Sequence, residues 1–187
     1  MDSDLLTGKL VRLAAMNAET DAEVFARWDV DAEYMRQLDS GPHLPNRAKK
    51  VREGIEKEQS EDPNTIAFSV RTLAGDQLIG FVAYDGIKWQ HGETYVAIGI
   101  GDPAYRGNGY GTDAMRVMLR YGFMELNLHR VHLNVFSYNE RAIKSYLKAG
   151  FVVEGRQRGT LLRNGRRWDF VYMSVLHEEW LAMNHGQ

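Results

Sequence analysis

The sequence predicts a mixed α/β fold whose front half is antiparallel, and three observations support this fold class. Helical patterns alternate with strand-like segments from residue 93 onward. Turn signals at residues 74–77 and at Asn164-Gly165 each join two strand-like segments as an antiparallel hairpin. A glycine-rich segment, residues 102–112, lies between a strand and a helix. We therefore expect an α/β (α+β mixed) sheet of about seven strands with about four to five helices.

Seven segments have the apolar alternation or the β-branched content of strands. Residues 130–136 alternate as a buried strand, and residues 93–100 carry Val96, Ile98 and Ile100. The strand before the glycine-rich segment and the strand after its helix are expected to be parallel neighbours joined by a right-handed crossover. The predicted strands are residues 9–13, 65–72, 78–84, 93–100, 130–136, 151–163 and 167–176.

Five segments are predicted to be helices. Asn17 is a favoured N-cap for the first of them, and Gly150 is placed to end the last. The helix after the glycine-rich segment carries an apolar stripe from Ala114 to Leu126 at helical spacing. The third helix is so highly charged that we expect it on the surface. The first helix follows Asn17, and the others cover residues 32–38, 47–59, 111–126 and 139–149.

The length and composition of the chain narrow the range of possible functions. With 187 residues and no linker-like stretch or repeat, residues 1–187 are expected to form one domain. A formal net charge of −2 argues against a nucleic-acid partner. The chain lacks cysteine, which excludes disulfides and thiolate nucleophiles, and its histidine spacing matches no zinc motif, so we expect no metal. Without a long apolar run or a signal segment, we expect no membrane span and a cytoplasmic location.

The glycine-rich segment has the properties of a phosphate-binding loop. Gly107, Gly109 and Gly111 let the backbone approach a ligand closely, and the following helix start offers unpaired N–H groups. The loop has no lysine, so it is not a Walker A motif. A dinucleotide fingerprint fits poorly because no acidic residue follows about 20 residues later. A nucleotide-dependent oxidoreductase therefore stays only as a minor alternative, and Asp113 is expected to point outward, away from a bound phosphate.

Two segments resemble the hallmarks of one family. Arg106-x-x-Gly109-x-Gly111 matches the Arg/Gln-x-x-Gly-x-Gly/Ala pattern of the GNAT superfamily, the acetyl-CoA-dependent N-acetyltransferases. Residues 139–151 resemble the second hallmark segment, and residues 8–13 resemble the opening of the ribosomal-protein N-acetyltransferase branch. The resemblance covers essentially the whole chain. It implies the GNAT-type acyl-CoA N-acyltransferase fold, whose central strand pair is splayed.

The same resemblance implies a binding site for acetyl-CoA as cosubstrate. The pyrophosphate would lie on loop amides, and the pantetheine arm would pair with the preceding strand. Gly99 and Gly101 in or after that strand indicate a bulge or a close backbone approach, and a bulge would separate it from the next strand. The implied cofactor-binding residues are Ile98, Gly99, Ile100, Arg106, Gly107, Asn108, Gly109, Tyr110, Gly111, Thr112, Asn139 and Ala142.

Resemblance assigns Tyr146 as the general acid that protonates the departing CoA thiolate. A phenol with a pKa near 10 stays protonated at neutral pH and can donate to a thiolate whose own pKa is about 8.5. A free backbone N–H near Ile98 or Gly99 would stabilise the tetrahedral oxyanion. With no cysteine and no activated serine, the acetyl group is expected to pass directly to a primary amine.

The sequence does not identify the general base. Many relatives carry glutamate immediately before the Ile-Gly pair of the central strand, where this chain has Ala97. Glu93 and Asp85 remain candidates that would act through water. The missing glutamate favours an amine of low pKa or a water chain. Acceptors therefore include a protein N-terminus and a small-molecule amine, and the resemblance also suggests a homodimer. The alternative hypothesis is that the protein binds acetyl-CoA as a sensor or interaction module and catalyses acetyl transfer only weakly.

Overall fold

The computed structural model describes residues 4–184, leaving aside the side chains of residues 58–61. Seven strands lie within this range: β1 (Val11–Ala15), β2 (Ile66–Thr72), β3 (Leu78–Lys88), β4 (Glu93–Ile100), β5 (Arg130–Phe136), β6 (Val152–Arg163) and β7 (Arg166–Leu176). They form one mixed sheet in the order β1-β2-β3-β4-β5-β7-β6. All neighbours are antiparallel except β4 and β5, which are parallel as predicted.

Between residues 4 and 184, six α-helices connect or follow the strands. They are α1 (Ala18–Trp28), α2 (Ala32–Leu38), α3 (Ala48–Glu61), α4 (Tyr110–Met124), α5 (Glu140–Ala149) and α6 (His177–Asn184). Helix α4 is the crossover between the parallel strands β4 and β5. The Asn17 side chain accepts from the backbone N–H of Glu19 and Thr20, which confirms it as the N-cap of α1. Gly150, at φ 107°, ends α5 as predicted.

Most element bounds shift by one or two residues from the prediction, and three of the differences have a clear structural cause. Strand β1 begins at Val11 instead of residue 9, because the preceding amides bind a side chain of α4. Strand β3 runs on to Lys88, since its pairing with β4 resumes there after a register shift. Helix α6 was not predicted because it has no regular apolar stripe. It is held by Trp180, whose ring lies 5.6 Å from that of Phe123.

The core lies between one face of the sheet and helix α4. Met115, Met118, Leu119 and Phe123 of that helix are almost fully buried against β-strand residues such as Val131. The stripe predicted from the sequence is thus the buried face. No helix between residues 4 and 184 is both long enough and apolar enough to span a membrane. The cytoplasmic location and the single domain over residues 1–187 stay predictions.

Strands β4 and β5 diverge soon after they begin. They pair only from Glu93 with Arg130 to Tyr95 with His132, whereas β4 continues along β3 until Ile100 meets Gly80. Beyond Tyr95 a gap therefore opens in the middle of the sheet, and the splayed pair that the resemblance implied is present. We call this opening the β4–β5 gap.

A bulge at the strand glycines does not cause the gap. The register of β3 with β4 is regular up to Ile100, and its shift lies between Asp85 and Lys88, at the other end of the strand. Instead, Gly99 and Gly101 let side chains from other elements approach the backbone of β4 closely. A Cβ atom on Gly99 would lie 2.3 Å from the Tyr34 hydroxyl oxygen, and one on Gly101 would overlap the indole of Trp28. Side chains of α1 and α2 thus pack directly on the end of β4.

Asp113 points away from the phosphate-binding loop, as predicted, but it is buried and does not face solvent. Its side chain is only 8% exposed and turns away from the loop toward the N-terminal segment. Its carboxylate accepts hydrogen bonds from the backbone N–H of Lys9, Leu10 and Val11 at 3.1, 2.7 and 3.1 Å. The charge is thereby satisfied by three amide dipoles, and the start of β1 is fixed to the first turn of α4.

We predict that Asp113→Ala lowers the free energy of unfolding by about 3 kcal/mol, since hydrogen bonds to a charged acceptor contribute about 1.5–3 kcal/mol each. Urea denaturation measures this loss. Glu23→Ala removes an exposed carboxylate from α1 and serves as the control, with an expected change below about 0.5 kcal/mol. Equal stability of the Asp113 and Glu23 variants would contradict the anchoring role of Asp113.

Candidate functional site

A cavity of about 520 Å³ lies along the end of β4, beyond the last residue of β4 that pairs with β5. Three groups of residues surround it: the end of β4 with the glycine-rich loop, helix α5 with its N-cap, and helix α2. Residues predicted for the site and lining the cavity are Ile98, Gly99, Ile100, Arg106, Gly107, Gly109, Gly111, Thr112, Asn139, Ala142 and Tyr146. The fold therefore brings together segments that are up to about 50 residues apart in the predicted set.

The glycine-rich loop presents a run of unpaired backbone donors. Among the described residues, no protein group accepts a hydrogen bond from the backbone N–H of any residue between 107 and 112. Gly107 and Gly109 have φ of 81° and 90°, and Gly109 is the N-cap of α4 without a side-chain cap. Consecutive free amides at the positive end of a helix dipole form a site for an anion.

The Arg106 side chain has a different role from the backbone amides of the glycine-rich loop. The Arg106 guanidinium donates to the carbonyl oxygens of Ile100, at 2.9 Å, and Gly101, and it pairs with Asp31 at 2.9 Å. It also lies 4.9 Å from the ring centre of Tyr34. Its charge is thus used to hold the end of β4 and the start of α2, while only part of it reaches the cavity wall.

The edge of β4 that faces the gap carries further backbone groups without a strand partner. The Gly101 N–H donates to the Ile79 carbonyl, and donors alternate sides along a strand, so the N–H of Gly99 also faces β3. The N–H groups of Ile98 and Ile100 then face the gap. Of the two amides predicted near the reaction centre, the amide of Ile98 is therefore the one directed into the cavity.

Helix α5 contributes an asparagine and a tyrosine. Asn139, the buried N-cap, accepts a hydrogen bond from the Ala142 N–H at 3.2 Å. Tyr146 lies two turns later with its ring 5.9 Å from Phe151. Burial, with a smaller contribution from Tyr95, raises the pKa of Tyr146 above its usual value of 10. Within the described part of the chain its hydroxyl makes no hydrogen bond to protein, so the proton is available to a ligand.

Four predicted residues lie away from the cavity wall. Asn108 donates to the Ala104 carbonyl, and the Tyr110 ring packs on Tyr105, so these two enter the site only through their backbone amides. The proposed bases are more remote, since neither Glu93 nor Asp85 lines the cavity.

Glu93, the first residue of β4, forms ion pairs with two cationic side chains at the end of the strand away from the cavity. It accepts a hydrogen bond from Lys88 at 2.7 Å and lies 3.5 Å from Arg130. The hydrogen bond from the Lys88 ammonium holds the pKa of Glu93 below its usual value, although slight burial opposes this shift. Such a carboxylate is a weak base. Asp85 is exposed, and its side chain lies 3.4 Å from the Thr65 hydroxyl.

The sequence reading missed two parts of the cavity wall. One is a basic rim on α5, formed by Arg141, Lys144 and Lys148. Its helical spacing beside Asn139 was a signal that could have revealed it. The other is α2, which contributes Tyr34, Gln37 and Leu38. No spacing links those residues to the loop, because their contact depends on the packing of α2 over Gly99.

Comparisons with known proteins agree with this geometry. The family profile described as Acetyltransferase (GNAT) domain matches residues 11–152. An uncharacterized N-acetyltransferase of Bacillus subtilis, YokL, derived from the SPbeta prophage, is 27% identical over 180 residues, covering 96% of this chain and 97% of its own. The putative ribosomal N-acetyltransferase YdaF of the same species is 38% identical over 76 residues, which cover 41% of this chain and 42% of its own.

A solved structure has a similar fold. The crystal structure of spermidine N-acetyltransferase from Vibrio cholerae, in complex with CoA and spermine, superposes with a TM-score of 0.81 at 26% identity. The match covers 91% of this chain and 98% of that one.

We predict that Gly109→Ala weakens CoA binding at least about tenfold, because alanine strains the φ of 90° and turns the loop amides away from the anion. Isothermal titration calorimetry with CoA measures the affinity. Gly75→Ala is a matched control: Gly75 has φ 89°, lies in the β2–β3 turn, and has open space around it. Equal CoA affinities for the two variants would count against the loop as the anion site.

Proposed function

The chain belongs to the GNAT family of acetyltransferases, and on this premise we propose that it transfers the acetyl group of acetyl-CoA directly to a primary amine, with Tyr146 as general acid. That it is an acetyl-CoA-dependent acetyltransferase follows from the family. The single observation that supports the proposed mechanism is the Tyr146 hydroxyl, which has no hydrogen-bond partner among the described residues and lines the same cavity as Ile98 and Ile100 of β4.

The residues present fit acetyl-CoA, which supplies the activated thioester. The free amides of residues 107–112 would hold the pyrophosphate, and the basic rim of Arg141, Lys144 and Lys148 would attract the remaining phosphate charge. The edge of β4 at Ile98 and Ile100 would pair with the pantetheine arm as an added strand does. Asn139 and Ala142 would border that arm from α5.

Tyr146 is suited to give a proton but not to take one. Its raised pKa keeps the phenol protonated across the neutral and mildly alkaline range. A departing thiolate, whose conjugate acid has a pKa near 8.5, would accept a hydrogen bond from this phenol, and that hydrogen bond would stabilise the charge that develops on sulfur as the C–S bond breaks. The Ile98 N–H, directed into the gap, would stabilise the oxyanion.

The amine must lose its proton without a buried carboxylate. Ala97 stands where many relatives have glutamate, and Glu140, the one carboxylate on the cavity wall within residues 4–184, pairs with Lys144 at 3.9 Å on the exposed side of α5. We therefore favour water as the proton acceptor and an amine that is partly neutral at pH 7, such as the α-amine of a protein N-terminus or a small amine of low pKa.

We predict that Tyr146→Phe lowers kcat about 100-fold or more, the usual contribution of a positioned general acid. The acetyl-CoA Kd is expected to change less than about twofold, because phenylalanine keeps the ring contact with Phe151. Thiol release from acetyl-CoA, measured with the best amine of a panel, gives kcat. An unchanged kcat would remove Tyr146 from the acid role.

We predict that kcat/KM rises with pH and levels off at the pKa of the amine itself. Only the neutral amine attacks, so the rate increases about tenfold per pH unit below that pKa. The plateau falls near pH 8 for an α-amine and about two pH units higher for a lysine-like amine. Because the pKa of Tyr146 is raised, no alkaline decline is expected below about pH 10. A midpoint of decline below pH 9 would contradict a protonated Tyr146.

A further inference from the structure

The cavity has walls on both faces of the sheet. Side chains alternate along β4, so Ile100 points to one face and Gly99 opens on the other. On the Ile100 face lies α4, since a Cβ atom on Gly111 would be 3.5 Å from the Ile100 side chain. Helix α5 is joined to α4 by the hydroxyls of Thr112 and Ser145, 2.7 Å apart. The two helices that would hold the acyl donor therefore share one face, and α2 lies on the other.

Tyr34 brings the α2 wall to the backbone of β4. A Cβ atom on Gly99 would lie 2.3 Å from the Tyr34 hydroxyl oxygen, so this oxygen is in contact with the Gly99 backbone. Both residues line the cavity, together with Tyr146 and with Ile98, whose N–H is directed into it. The Tyr34 hydroxyl thus lies one strand residue from the proposed oxyanion donor, on the face of the sheet opposite α5.

The Tyr34 hydroxyl keeps its full hydrogen-bonding capacity for a ligand. No described residue forms a hydrogen bond with it. Among the described side-chain nitrogen and oxygen atoms, Arg52 Nε is the one that is enclosed without a partner, so the Tyr34 oxygen is not sealed off from open space. Because Tyr34 is only 7% exposed and lines the cavity, the cavity is the open space that its hydroxyl meets.

The rest of the α2 wall offers no comparable group. Besides Tyr34, α2 contributes Gln37 and Leu38 to the cavity. The Gln37 amide accepts a hydrogen bond from Arg141 at 2.8 Å and donates one to Glu33 at 3.4 Å, whereas Leu38 is apolar. None of the three cavity-lining residues of α2 is a carboxylate that could bind an ammonium group. The Tyr34 hydroxyl is therefore the group on this wall that suits an uncharged polar partner.

The Tyr34 phenol stays neutral. Burial raises its pKa, although the Arg106 guanidinium, 4.9 Å from the ring centre, opposes the shift. Asp31 at the start of α2 is already engaged, because it pairs with Arg106 at 2.9 Å and accepts from the backbone N–H of Glu33 and Tyr34. A neutral phenol has lone pairs that accept a hydrogen bond from an N–H group. It can therefore orient a neutral amine, but it does not deprotonate an ammonium group.

We propose that Tyr34 binds the acceptor: its hydroxyl oxygen accepts a hydrogen bond from an N–H of the neutral amine and directs the amine lone pair at the acetyl carbon beside the free edge of β4. This inference rests on the proposed function of the cavity. In the transfer the N–C bond forms and the C–S bond breaks, the amine loses a proton to water, and Tyr146 donates a hydrogen bond to the departing thiolate. The acyl donor and the amine thus meet from opposite faces of the sheet.

The test is the kinetics and amine binding of Tyr34→Phe, which removes the hydroxyl and keeps the ring beside Arg106. A panel that includes spermidine and an alanine-initiated peptide supplies the best amine. Its KM is expected to rise about tenfold, which corresponds to the loss of one hydrogen bond. Calorimetry is expected to show the same loss of affinity when that amine is added to the CoA complex. The Kd of CoA itself is expected to stay within about twofold, because the loop amides are untouched.

Tyr172→Phe is the matched control. Tyr172 lies on β7, outside the cavity wall, and donates to Gln157, so the amine KM of this variant is expected to be that of the native protein. An unchanged amine KM for Tyr34→Phe, while Tyr146→Phe still lowers kcat, would overturn the role of Tyr34 alone. A CoA Kd weakened as much as the amine affinity would overturn the assignment of Tyr34 to the acceptor. No turnover with any amine would overturn the proposed function itself.

Discussion

The divergence of β4 from β5 is the constraint on which the site depends. A strand in the middle of a sheet normally pairs on both edges, and unpaired backbone groups in a buried place are costly. After Tyr95, β4 keeps its partner on the β3 side only, so the backbone groups of Ile98 and Ile100 that face β5 have no strand to pair with. A ligand with amide groups of its own can replace the missing strand, which couples the opening of the sheet to acyl-donor binding.

The gap is kept open by contacts from elements far apart in the chain. Arg106 takes the carbonyl oxygens of Ile100 and Gly101 as partners, and it binds Asp31 at the start of α2. Strand end, loop and α2 are thereby joined through one guanidinium, whose planar donors suit several acceptors at once. Since α2 also forms part of the cavity wall, a change in the loop is expected to alter that wall.

Tyr95 and Tyr146 are both partly buried tyrosines, but their hydroxyls have different hydrogen-bond partners. Burial keeps both phenols neutral, and their hydrogen bonds decide what each can do. The Tyr95 proton is committed to Asn134, whereas the Tyr146 proton has no partner in the described part of the chain. Of these two tyrosines, Tyr146 is therefore the one whose proton is available to a ligand in the cavity. A glutamate at position 97 is not required if the acceptor amine has a low pKa and loses its proton to water.

The amino-acid sequence by itself determined the fold class, the parallel pairing of the central strands, the caps at Asn17 and Gly150, and the loop of residues 102–112. These features follow from local patterns, namely apolar spacing, turn residues and a short motif, each of which acts over a few residues. The resemblance to the GNAT hallmarks added Asn139 and Tyr146 to the candidate site.

The tertiary structure alone decided the rest. It placed α2 on the cavity, buried Asp113 under the N-terminal segment, left Glu93 and Asp85 away from the cavity, and joined Tyr95 to Asn134. Each of these outcomes depends on contacts between segments separated by tens of residues. The same carboxylate or phenol is compatible with exposure, with a structural hydrogen bond or with catalysis until packing selects its neighbours, so no local pattern encodes the choice.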